Sequence, residues 1–136
     1  MKGAYLKVTK MEATAVKKFS NVAQCPVRNV LDRIGDKWSV LVLLILGDKT
    51  MRFNELQREI GEISQKMLVT TLKHLEADGL VLRQLFAEVP LRVEYSLTPL
   101  GESLLPSIHQ LTNWSVVHME AILKSREAYQ QINRDN

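Results

Sequence analysis

The sequence predicts a mainly α fold carrying one small β-hairpin, an α+β class. Three observations carry that prediction. Apolar residues recur at helical spacing through most of the chain; the period shortens to two residues over 80–97; helical spacing returns from 98 onward. With 136 residues and 46% apolar composition, there is material for one packed core. A formal net charge of +3 permits an anionic partner without requiring one.

The elements follow in chain order. Thr9 and Glu12 match a capping box, and Met11, Ala15, Phe19 and Val22 recur near helical spacing. Residues 1–23 therefore read as an arm, either helical or mobile. Pro26 suits a first helical position, and Val27, Val30, Leu31 and Ile34 form one stripe behind it. Gly35 can end that helix, and Asp36 can cap the next. From Lys37 to Leu46 the chain is apolar almost all round, which places this helix centrally. TMRF at 50–53 can supply a short strand. Phe53, Leu56 and Ile60 face inward from a helix that ends at Gly61. Ser64 caps the following helix, from about Gln65 to Asp78, which Gly79 stops. Two helices joined by so few residues have the spacing of a helix-turn-helix.

LVLRQLF at 80–86 and RVEYSL at 92–97 read as strands joined by the short AEVPL turn. Thr98-Pro99 opens the last helix. Leu104, Ile108, Leu111, Ser115 and Ile122 trace its inner stripe, with Trp114 beside it. Pro106 is expected to kink this helix or reset its start. The polar tail, residues 124–136, is expected to fray. The order is that of a winged helix-turn-helix flanked by N- and C-terminal helices. Residues 24–123 form the domain.

The helix at 65–78 carries the functional argument. At roughly 100° per residue, Leu68, Thr71, Leu72 and Leu75 share one arc and must face the core. Lys66, Thr70 and Lys73 lie opposite, flanked by Val69 and His74, with Gln65 at the helix start. That face is cationic, rich in hydrogen-bonding groups and short of carboxylates. It suits a major groove: lysines reach phosphates or guanine, glutamine pairs with adenine, and Thr and Val methyls touch thymine. The amides of the helix start, behind Ser64, suit a phosphate. The bland reading is a solvated face that happens to be basic. Arg92, read at the hairpin tip with Arg83 and Gln84 on the facing strand, can enter a minor groove or lie on phosphates, or it can simply pair with Glu88 or Glu94. Arg52 and Asn54 open the preceding helix, where a backbone phosphate would lie; Asn54 can equally be a cap.

CPV at 25–27, IGDKWSVLVLLIL at 34–46, RFNELQREI at 52–60, IS at 63–64, LEADGLV at 75–81 and EVPLRVEYSLTPLGESL at 88–104 together resemble the HxlR-type winged-helix transcriptional regulators, relatives of the MarR group. The resemblance spans about residues 24–123. It implies a cytoplasmic homodimer that binds double-stranded DNA and pairs through its first and C-terminal helices. The family's wing often reads EVPP-R; here Leu91 stands for the second proline. Val27, Val30, Leu104, Ile108, Leu111, Trp114 and Ile122 are then the expected dimer residues, although the C-terminal stripe can also pack within its own chain.

Cys25 is the one cysteine, so no intrachain disulfide forms. A cysteine before Pro26 lies at a helix N-terminus, where a thiolate is favoured. The resemblance implies a sensor of electrophiles or oxidants at this position. The alternative is an inert packed thiol. A small-molecule effector would sit between the 37–46 helix and the dimer helices.

Other classes fit less well. Cys25 with His74, His109 or His118 could form a nucleophile–base pair, but none lies in a catalytic motif. No metal-ligand spacing or phosphate-cradling loop is present, so no cofactor is expected. WSVLVLLILG at 38–47 is shorter than the roughly 20 residues that cross a bilayer. No signal-peptide core is evident, so the expected location is the cytoplasm. A winged helix used only for protein or small-molecule binding remains the alternative to DNA reading.

Overall fold

The computed structural model describes residues 25–135. They form α1 (Pro26–Ile34), α2 (Ser39–Leu46), β1 (Met51–Arg52), α3 (Phe53–Ile60), α4 (Gln65–Ala77), β2 (Val81–Phe86), β3 (Arg92–Leu97) and α5 (Pro99–Asp135). The helix expected within the arm lies outside the described residues. The winged helix-turn-helix is present as expected, including the short strand within TMRF.

The core is organised around α2. Val42, Leu43 and Leu46 are fully enclosed, and Leu56 of α3 and Leu68, Leu72 and Leu75 of α4 pack with them. Ser39 is buried as well, and its hydroxyl donates to Asp36 Oδ2 at 2.9 Å. The same carboxylate accepts the Trp38 amide at 3.4 Å through Oδ1. Asp36 therefore satisfies donors at the helix start as expected, but from two residues before the N-cap, Trp38.

The sheet runs β1-β3-β2, all antiparallel. Met51 pairs with Tyr95, and the hairpin register runs from Val81 opposite Leu97 to Phe86 opposite Arg92. Met51, Val81 and Tyr95 are the buried positions, so one face of the sheet closes the core under α2 and α4. Gly61 (φ 85°) turns α3 into the link to α4.

The end of α4 is fastened to the start of α5. Gly79 adopts φ 75°, its amide donates to Glu76 O at 3.0 Å, and the Leu80 amide donates to Leu75 O at 2.9 Å. This is a Schellman close, for which glycine's freedom at positive φ is required. The Thr98 hydroxyl donates to Gly79 O at 2.5 Å, and the Thr98 amide to Leu80 O at 3.1 Å. Thr98 Oγ1 in turn accepts the Gly101 amide at 3.0 Å, so one side chain caps α5 and ties it to α4.

Gly101 is demanded by this junction. A Cβ there would stand 2.1 Å from Leu80 O, a backbone atom that cannot swing aside. Gly101→Ala is expected to destabilise the protein by about 1–3 kcal/mol or more through overpacking, despite alanine's higher helix propensity. Urea unfolding at fixed protein concentration measures it; an unchanged midpoint would contradict this packing.

One expectation about α5 is narrowed and one needs correction. Pro106 lies inside α5, which is one element from Pro99 to Asp135, so of its two expected effects the reset of the helix start is not seen. The missing amide leaves only the Glu102 carbonyl without its helical donor, and both residues are exposed, so water can serve it. The tail does not fray at 124 but stays helical to Asp135. Its composition is rich in good helix formers, and Lys124 pairs with Glu120 at 3.2 Å one turn back.

Candidate nucleic-acid interface

The arc assignment of α4 holds. Leu68, Thr71, Leu72 and Leu75 are buried; Gln65, Lys66, Val69, Thr70, Lys73 and His74 are exposed. Ser64 caps the helix, its Oγ accepting the Met67 amide at 3.1 Å. The Thr70 hydroxyl donates to Lys66 O at 3.0 Å. Its proton is thus committed to the helix, and what Thr70 offers outward is a methyl and acceptor lone pairs.

Beside the second half of this face lies a notch of about 250 Å³ formed by Val69, Lys73 and Glu76 of α4 with Arg83 and Tyr95 of the sheet. The structure therefore brings Arg83 to the same surface as Lys73. Sequence reasoning placed Arg83 on the wing strand facing Arg92, not beside Lys73. The α4–β2 packing that joins the two is a tertiary fact, and only the outward alternation of the hairpin hints at it. Glu76 shares the notch and offsets part of its positive charge.

Arg52 is the N-cap of α3, and its amide donates to Glu55 Oε1 at 3.0 Å. Glu55, rather than Asn54, thus serves the helix start. Arg52, Asn54, Glu55 and Arg58 line a second shallow recess of about 470 Å³. Arg58 Nε donates to Asn54 O at 3.4 Å, so a second guanidinium, missed in the sequence, stands over this helix start.

Arg92 differs most from expectation. It is the first residue of β3, opposite Phe86, not the tip of the turn. Its guanidinium lies 4.1 Å from the Phe86 ring centroid and pairs with Glu88 at 3.2 Å and Glu94 at 3.6 Å. The paired alternative is the arrangement seen. Arg92 braces the wing, while the exposed tip carries Val89 and Leu91, and the Val89–Pro90 bond is cis.

The expected dimer residues divide. Ile108 is a correction: it is 3% exposed and belongs to the core of its own chain, so it is closed to a partner. Leu104 is half-buried against that core, and Ile122 is half-buried. Val27, Val30, Leu111 and Trp114 are exposed, the last two by 58% and 52%. The α1 stripe has no buried residue at all. What anchors α1 is Arg33, whose Nε and Nη2 both bond the Asp78 carboxylate, the latter at 3.1 Å. Asp78 is the C-cap of α4. Its hydrogen bond raises the Arg33 pKa, aided by the charges of Asp78 and Asp36 and opposed by partial burial.

Cys25 is the N-cap of α1, and its Sγ accepts the Arg28 amide at 3.4 Å. The side chain is fully enclosed. An apolar cleft of about 480 Å³ lies between α1, the end of α4 and the first turns of α5, with Val30, Ile34, Leu80, Leu100 and Leu104 among its walls. The effector cavity was expected against the 37–46 helix, but α2 contributes nothing to this cleft. The burial of α2 within the core explains why. Among the described residues no helix is long and apolar enough to cross a membrane.

A helix-turn-helix with a wing, whose second helix turns its leucines inward and its lysines outward, defines a DNA-reading class of protein. Residues 33–123 match the model of the HxlR-like helix-turn-helix family, and the chain belongs to that family. It is a transcriptional regulator of helix-turn-helix type. It is 42% identical over 104 residues to the uncharacterized HTH-type transcriptional regulator YtfH of Escherichia coli, covering 76% of this chain and 82% of the relative. Among solved structures it is similar to the redox regulator HypR in its reduced form, with 39% identity, a TM-score of 0.70, and coverage of 73% of this chain and 98% of that one. It is also similar to the reduced form of YodB from Bacillus subtilis, with 35% identity, a TM-score of 0.61, and coverage of 68% and 91%. All three relatives are described as regulators.

Proposed function

We propose that the protein acts as a homodimer on a near-palindromic operator, placing α4 of each copy in successive major grooves roughly 34 Å apart. The carrying observation is the outward face of α4, where Lys66 and Lys73 stand clear of every described carboxylate partner while the leucines are enclosed. Gln65, Val69 and Thr70 read base edges. Lys66, Lys73, Arg52 and the amides behind Ser64 hold phosphates. The wing, residues 86–92, lies on the minor groove or the backbone. Arg92 joins in by exchanging Glu88 and Glu94 for a phosphate. The apolar residues left exposed on α1 and α5, among them Val27, Val30, Leu111 and Trp114, support the dimer.

The test is a mobility-shift titration against operator and scrambled duplex. Gln65→Ala or Thr70→Ala is expected to narrow the gap between the two by about 1–3 kcal/mol per altered base contact. If both variants discriminate like wild type, the groove assignment fails and a protein-binding role takes its place.

We further infer a thiol response through Cys25, supported by its N-cap position and by two relatives described as a redox regulator and as a protein treated with diamide. Because the thiol is enclosed, reaction requires the first turn of α1 to open, which moves the proposed dimer seam. With diamide as the oxidant, two thiols lose their hydrogens to its azo bond. The disulfide then joins Cys25 to a small thiol or to the Cys25 of a second copy. Diamide is expected to change operator affinity in wild type but not in Cys25→Ser. Equal responses in both proteins, or none in either, would sink this part alone.

A further inference from the structure

We propose, resting on the major-groove reading of α4 above, that Lys73 and Arg83 together hold one backbone phosphate of double-stranded DNA in the notch between α4 and the hairpin. The two arginines of the hairpin differ in readiness. Arg92 is engaged: its guanidinium lies on the Phe86 ring and pairs with Glu88 and Glu94. It must leave two carboxylates before it meets a phosphate. Arg83 is exposed, and among the described residues neither it nor Lys73 has an ion pair or a side-chain hydrogen bond. Nothing has to break before either cation meets an anion.

Geometry sets where that anion sits. Val69, Lys73 and Glu76 succeed one another at steps of four and three, so they share the edge of α4 that borders the sheet. Arg83 stands opposite Tyr95 in the hairpin register, and both line the same notch of about 250 Å³. A reading helix meets base edges with its N-terminal turns. Lys73 and Glu76 lie about 12 and 16 Å along α4 from Gln65, at 1.5 Å per residue. The notch is therefore far from the base-reading turns, at the level of the backbone.

Charge identifies the ligand. Two cations and the Glu76 carboxylate leave the notch with one net positive charge. That matches the single negative charge of a phosphodiester, whereas a phosphomonoester carries about two at neutral pH. Arg83 can offer the phosphate two parallel N–H donors, and Lys73 adds a point charge beside them. Glu76 opposes the same phosphate and so restrains binding to any duplex.

The experiment is a mobility-shift titration of the full chain against operator and scrambled duplex at three ionic strengths, with urea unfolding as the control for folding. Arg83→Ala is expected to lose roughly tenfold in affinity for both duplexes. The slope of log K against log salt should flatten by about 0.9 for each phosphate released. Arg83→Lys keeps the charge and should keep the slope. Glu76→Gln should tighten binding to both duplexes severalfold. If Arg83→Ala binds like wild type while Lys66→Ala/Lys73→Ala binds weakly, the notch holds no phosphate and the reading of α4 stands. If neither differs from wild type, both fall. A loss in Arg83→Ala with an unchanged salt slope marks a structural role and overturns the phosphate contact, as does a Glu76→Gln that binds no tighter. Saturable binding of inorganic phosphate in calorimetry, abolished by Arg83→Ala, would make the notch a free-anion site and overturn it too.

Discussion

Replacing Lys66 and Lys73 together by alanine is expected to weaken binding to every duplex, operator or not. Both ammoniums leave the exposed face of α4, and neither has an ion pair in the described structure to complicate its removal. A hydrogen bond to a charged group contributes about 1.5 kcal/mol or more, so each lost phosphate contact costs roughly tenfold in affinity. The salt dependence should fall with it. The slope of log K against log salt flattens by about 0.9 for each phosphate no longer neutralised. Specificity should stay nearly constant, because phosphate contacts position the protein without reading sequence. Titrations at two or three ionic strengths separate the effects. A steep, unchanged slope would show that these lysines never meet the backbone. Folding provides the control: both side chains are exposed, so stability should move by no more than about 0.5 kcal/mol.

The second large effect is expected from Leu75→Ala. Leu75 is fully enclosed, and its carbonyl holds the Leu80 amide in the turn that closes α4. Truncation removes buried methyl groups and leaves a cavity between α2, α4 and the sheet. The expected loss is about 2–5 kcal/mol, from a total stability on the order of 5–15 kcal/mol. Denaturant midpoints at one fixed protomer concentration measure it, since a dimer's stability depends on concentration. DNA affinity per folded molecule should change little if α4 keeps its place. A loss below about 0.5 kcal/mol would mean that the helix is not held by this packing.

Much of the architecture was legible because local and global signals agreed. Pro26, Ser64 and Thr98-Pro99 begin helices; Gly61 and Gly79 end them at positive φ; the two-residue period marks the hairpin. The inward and outward arcs of α4 were legible for the same reason, since a regular helix fixes direction from spacing alone. What stayed hidden depends on contacts distant in sequence. Arg83 joins the α4 face only because β2 packs on that helix. Arg92 turned out to be occupied because the hairpin register sets it over Phe86 and between two glutamates, and no spacing rule ranks a phosphate above those. Ile108 and Leu111 share one stripe, yet one is core and the other surface. Periodicity reports that a face is apolar; it does not report where the chain's own body ends. Pro106 does not restart the helix, because an exposed carbonyl tolerates the loss of one helical bond.

The Thr98 junction has a consequence for how any signal could travel. Three hydrogen bonds through one residue leave no hinge between the end of the reading helix and the root of the long one. The two must tilt together, like the head and handle of a single tool. If two copies pair through their long helices as proposed, a change of angle where the handles cross would reach the heads as a change in the distance between them.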